Sequence, residues 1–157
     1  MRRLLAILLA VLVSAVAMAP GAEAKVRKLI AARQFQIPEN IPGPQPSTGS
    51  ATITGKLGIR ACFTSAWSDG RKVKCPGRVV RACTEGRAVR VRAHGYPAQF
   101  VTTGPGGSIA ATVPYPVEGG YEEVALSVPT ETRRAKRLKI SCFGTDVVVA
   151  IDSPEVG

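Results

Sequence analysis

The sequence predicts an all-β domain: a single antiparallel Greek-key β-sandwich of about seven to nine short strands, stapled by disulfides. Three observations carry that prediction. Apolar and polar residues alternate with the period of a strand, most clearly in Arg87–His94, where Val89, Val91 and Ala93 face one way and Arg90, Arg92 and His94 the other. Turn signals (Asp69-Gly70, Pro76-Gly77, Glu85-Gly86, Gly104–Gly107, Gly119-Gly120, Gly144) punctuate the chain at short intervals. Beyond the N-terminal segment, no apolar period of 3.6 runs for the length of a helix.

In chain order, Met1–Ala24 has the three parts of a secretory signal peptide: Arg2-Arg3, the apolar run Leu4–Ala19, and Ala22-Glu23-Ala24 before the expected cut. The run is shorter than the about 20 residues of a spanning helix, so no transmembrane anchor is expected after cleavage, and the destination is secreted or extracytoplasmic. Residues 25–50 read as an extended linker or an arm lying on the domain, basic at Lys25–Lys28 and then broken by Pro38, Pro42, Pro44 and Pro46. Its start, KVRKLIAARQF, could form a basic amphipathic turn or two.

The sandwich domain is expected over residues 51–153. Ala51–Phe63 opens it, with Ile53, Leu57 and Ile59 on one face, and Lys72–Cys75 returns as the second arm of a hairpin. Trp67 beside that turn is expected to cover the core. Strands follow at Arg78–Thr84, Arg87–His94, Gln99–Thr103, Ser108–Val113, Tyr121–Val128, Lys136–Phe143 and Asp146–Ile151. Arg133–Arg137 reads as a dense basic loop.

The chain carries 21 Lys and Arg against 11 Asp and Glu, a formal charge of +10. Such a balance favours anionic partners, and arginine in particular grips carboxylates and phosphates with two donors. The candidate binding residues are Arg81, Arg90 and Arg92 on the strands, with Arg133, Arg134, Lys136 and Arg137 in the loop. Four cysteines, Cys62, Cys75, Cys83 and Cys142, make an even count in an exported chain and point to two disulfides. Of the three possible pairings, Cys62–Cys75 would close the first hairpin and Cys83–Cys142 would tie a middle strand to a late one. No C-x-x-C occurs and His94 is the single histidine, so no metal site and no cofactor are expected. A lone histidine, the lack of a G-x-S-x-G elbow, and Glu122 and Glu123 on opposite faces of one strand give no catalytic constellation. The expectation is a chain that is not an enzyme.

The stretch VRVRAHGYPAQFVTTGPGGSIAATVP, followed by Tyr121 and Leu126-Ser127-Val128, resembles the transthyretin-like (prealbumin-like) sandwich domains, which include the carboxypeptidase regulatory-like and Cna-B-like modules of exported bacterial proteins. The resemblance rests on Thr103, Gly107 and Ile109 in the pattern T-x-x-x-G-x-[aromatic], with Gly104 and Ile109 departing from it. It implies the fold and a non-catalytic accessory, adhesion or binding role. The expected function is therefore a secreted binding module whose basic face meets an anionic envelope polymer, glycan or lipid headgroup, with no nucleic acid as partner. The alternative is an extracellular protein-binding module, an adhesin or inhibitor, using the loops at Tyr96-Pro97 and Tyr115-Pro116.

Overall fold

A computed structural model describes residues 27–38, 40–41, 49–64, 70–114 and 122–152. The expected signal segment, Trp67 and the Tyr115-Pro116 loop lie outside them. The described chain is mostly β, in two sheets. Its elements are β1 (Arg27–Gln36), β2 (Asn40–Ile41), β3 (Ser50–Thr64), β4 (Lys72–Val73), α1 (Gly77–Thr84), β5 (Ala88–Ala93), β6 (Gln99–Thr102), β7 (Ser108–Pro114), β8 (Glu122–Val128), β9 (Glu131–Ala135), β10 (Leu138–Phe143) and β11 (Thr145–Ile151). These eleven strands exceed the seven to nine expected.

The first sheet runs β4-β3-β1-β10-β9, with β7 also paired to β3; the second runs β2-β11-β8-β5-β6. The strand β1 corrects the reading of residues 25–50 as a linker, because Arg27–Gln36 lies between β3, to which it is antiparallel, and β10, to which it is parallel. Its side chains alternate as a strand requires, with Leu29, Ala31 and Arg33 buried on one face. Opposite it, β3 carries a bulge. Ala32 pairs with Ala61 and Arg33 with Ile59, so Arg60 is skipped, and Leu57 and Cys62 both turn inward although five positions apart.

Arg78–Thr84, expected as a strand, is the helix α1. Val79 and Cys83, one helical turn apart, are fully buried. The helix ends at Glu85, with Gly86 following at φ +64°, the left-handed conformation glycine adopts at helix C-termini. Pro76-Gly77 and Glu85-Gly86 therefore mark its two ends, as expected of breaks, but enclose a helix. Two further boundaries shift. Arg133–Arg137, expected as a loop, is largely the strand β9, and only Lys136-Arg137 turns into β10. The Gly104–Gly107 turn joins β6 to β7 in different sheets, so it is a corner and not a hairpin. A Cβ on Gly107 would stand 2.2 Å from the Leu57 carbonyl oxygen, and its φ is +78°, so the corner requires glycine there.

Two apolar cores share the inner face of the first sheet. The larger lies between the sheets and includes Ile53, Leu57, Val89, Val91, Ile109, Val113, Val124, Leu126 and Ile151. The smaller lies under α1 and consists of Leu29, Ala31, Cys62, Val79, Cys83, Leu138, Ile140 and Cys142. Both disulfides belong to the smaller one. Cys62 bonds Cys75 with Cα atoms 5.4 Å apart, and Cys83 bonds Cys142 at 5.5 Å. These are the pairs argued from the sequence, but the partners differ in kind. Cys75 follows the two-residue strand β4, and Cys83 ties a helix, not a strand, to β10.

Arg33 sits at the seam between the two cores with its side chain fully buried. Its Nε donates to the Phe143 carbonyl at 2.8 Å; its terminal nitrogens donate to the carbonyls of Cys83 (3.2 Å), Cys142 (3.2 Å) and Pro129, and to Glu131 (2.9 Å). Pro129 and Phe143 flank the two places where the chain crosses between sheets, from β8 to β9 and from β10 to β11. One guanidinium thus ties both crossings to the end of α1. Burial pulls Arg33 below its ordinary pKa, and the hydrogen bond and charge of Glu131 oppose that pull.

Candidate functional site

The candidate residues fall on three separate surfaces. Arg90 and Arg92 point outward from β5 in the second sheet, because Val89, Val91 and Ala93 point in. Across the sheet, Arg90 stands between Phe100 and Ser127, and Ser127 in turn faces Asp146. Arg92 faces Ala125, which faces Val148. Phe100 and Val148 are exposed at 69% and 59%. Arg92, His94, Glu123, Ala125 and Val148 line a depression of about 290 Å³. Glu123 and Asp146 share the outer face with the two arginines, so it is mixed in charge and partly apolar rather than basic. Arg81 lies exposed on α1, in another part of the molecule.

The β9–β10 hairpin carries the other four. Arg133 points to the inner side, where its guanidinium meets Glu131 at 3.0 Å. Glu131 also holds Arg33 at 2.9 Å and Arg87 at 3.3 Å, so Arg133 shares that carboxylate with two other arginines while its own side chain stays 42% exposed. Arg134 points the other way. Lys136 occupies the turn at φ +54°, beside Arg137, whose carbonyl accepts a hydrogen bond from the Arg27 backbone N–H at 3.2 Å.

The pairing of β1 with β10 then assembles a group that the sequence did not join. Lys28 stands opposite Lys139, and Lys139 opposite Arg134, so three cations form a row across three adjacent strands on the outer face of the first sheet. Like charges directly opposite one another destabilise a sheet. Arg71 and Lys72 enter at the same end, since the Arg71 carbonyl accepts from Thr64 and Lys72 pairs with Phe63, two strands from the row. Among the described residues no carboxylate accompanies this end of the outer face. Glu122, Glu123 and Asp146 are on the second sheet, Glu85 ends α1, Asp152 follows β11, and Glu131 faces inward.

Lys28, Arg71, Lys72 and Lys139 are therefore additions to the candidate set, Arg90 and Arg92 belong to a different surface, and Arg133 is paired with Glu131. The available signal was the basic start Lys25–Lys28, which gains meaning only once β1 is known to be a strand. Tyr96, expected in a binding loop, packs in part against the larger core. Among the described residues no group of three or more His, Cys, Asp or Glu side chains could hold a metal ion. Comparison with family models, with curated proteins and with solved structures gives no match for this chain.

Proposed function

We propose that the protein is an extracytoplasmic, non-catalytic binding module that contacts an anionic component of the cell envelope through the basic end of its first sheet. The observation that carries the reading is the row Lys28–Lys139–Arg134, extended by Lys136 and Arg137 around the β9–β10 turn. Three cations held side by side without a carboxylate repel one another, and an anion laid across them relieves the repulsion. The two disulfides agree with an oxidising compartment. No helix among the described residues is long and apolar enough to cross a membrane. The transthyretin-like, Greek-key description of the two facing sheets belongs to the same proposal.

The test is co-sedimentation of the chain from Lys25 onward, which contains every described element, with cell envelopes across a salt series. Binding is expected to fall steeply as salt rises, because exposed charges are screened beyond about 8–10 Å at physiological ionic strength. The charge reversals Lys28→Glu, Arg134→Glu and Lys139→Glu together are expected to abolish it, whereas Arg90→Glu with Arg92→Glu leaves it intact. Unchanged binding in the triple variant rejects the reading.

A second reading, a protein-binding module, is supported by exposed Phe100 and Val148 beside Arg90 and Arg92 on the outer face of the second sheet. Aromatic and arginine side chains together are common anchors of protein interfaces. It predicts a salt-tolerant complex lost on Phe100→Ser.

A further inference from the structure

The outer face of the first sheet is not only basic. Beside the row of cations, Ile30 stands between Phe63 and Ser141, and Ala32 stands between Ala61 and Phe143. Phe143 is 45% exposed, and the others are partly buried. An apolar strip two residues deep therefore crosses β3, β1 and β10, bordered at one end by Lys28, Lys139 and Arg134 and at the β3 edge by Lys72.

A hydrated polyanion such as a glycan or polyphosphate has a use for the cations but none for the strip. A lipid surface uses both, since headgroup phosphates meet the cations while apolar side chains enter the acyl boundary. Resting on the proposed anionic partner, we infer that this face docks the protein on the surface of an anionic lipid bilayer. Phe143 inserts, with Ile30 and Phe63 behind it, and Lys28, Lys139 and Arg134 hold the headgroups. The paired centre of a sheet suits this role, because its backbone groups are already satisfied before it approaches the lipid.

The probe is sedimentation of the chain from Lys25 with vesicles of phosphatidylglycerol and phosphatidylcholine, and with phosphatidylcholine alone. Starting at Lys25 removes the apolar run Leu4–Ala19, which would itself bind lipid. Binding is expected only to the phosphatidylglycerol vesicles. Neutralising the row (Lys28→Gln, Arg134→Gln, Lys139→Gln) should weaken it about fivefold per cation at low salt. Phe143→Ser should weaken it roughly tenfold at every salt concentration, since burial of a phenyl ring is not screened. Phe100→Ser, on the opposite sheet, should leave it unchanged.

If Phe143→Ser binds as well as the parent while the neutralised row does not, the contact is electrostatic alone and lipid docking fails. If the vesicles are ignored but soluble polyphosphate is bound through the same cations, lipid docking fails and the anionic-partner reading stands. If neither is bound, both fall. The Phe143 side chain is outside the core, and unchanged circular dichroism of the variant checks that the fold persists.

Discussion

The two halves of the first sheet share the strands β1 and β3 and have different means of support. One half is covered by the second sheet, and its core is built of buried aliphatic side chains from six strands, with no covalent crosslink. The other half is covered by an eight-residue helix, which buries little apolar area, and all four cysteines are here. A small core loses too little water-exposed surface to hold an element by itself, and disulfides supply the remainder by restricting the unfolded chain. Charge divides along the same line. The helix-covered half collects Arg27, Lys28, Arg71, Lys72, Lys136, Arg137 and Lys139, while the described carboxylates other than Glu131 and Glu85 belong to the second sheet or follow it. Covalent closure thus permits a concentration of like charge that a small apolar core would not tolerate.

The comparison breaks most directly at Arg33, which joins the halves. Arg33→Met keeps the apolar stem but orphans four carbonyls and one edge of Glu131. Chemical denaturation should show a loss toward the upper end of the about 3–5 kcal/mol typical of a broken buried pair. A loss below 1 kcal/mol would show that the halves do not depend on the seam. Next comes the double variant Cys83→Ala/Cys142→Ala, which opens a loop of 59 residues and should cost roughly 2–4 kcal/mol. Hydrogen exchange sharpens this case: the amides of Val79–Thr84 should exchange faster, with those of Val89, Val91 and Leu126 still protected. Uniform acceleration would mean one cooperative unit rather than two halves. The smallest effect is expected at Lys136, the one non-glycine residue among those described with positive φ. Lys136→Gly relieves a left-handed penalty of about 1 kcal/mol but frees the unfolded chain, so thermal melting should show a gain of only a few tenths of a kcal/mol.

Most strand positions were legible because their inward residues obey the period of two without exception, as Val89, Val91 and Ala93 do in β5 and Leu138, Ile140 and Cys142 in β10. The strand β1 was hidden because the third of its inward residues is an arginine. Its outward residues Ile30 and Ala32 are apolar, so neither face reads as the core. The helix was hidden for another reason. Val79 and Val80 favour strands as isolated residues, and eight residues give too few turns for a period to show; a disulfide and the floor of β1, β3 and β10 override that preference. The hairpin around Cys62 and Cys75 favoured one of the three cysteine pairings, the one the structure has, without excluding the other two. The basic end was out of reach, because Lys28 and Lys139 are separated by most of the chain and meet only through the parallel β1–β10 ladder.

That ladder also sets an order of events. Ribosomes deliver the N-terminus first, at about 5–20 residues per second, yet β1 occupies the middle of its sheet and must keep a place for β10, more than a hundred residues later. Until Cys142 and Phe143 arrive, Arg33 lacks the two carbonyls they supply. Over the same interval Cys62, Cys75 and Cys83 are together without the fourth thiol, and an early bond between Cys75 and Cys83 would have to be undone. The native arrangement is therefore closed only when β10 joins β1 and Cys142 meets Cys83.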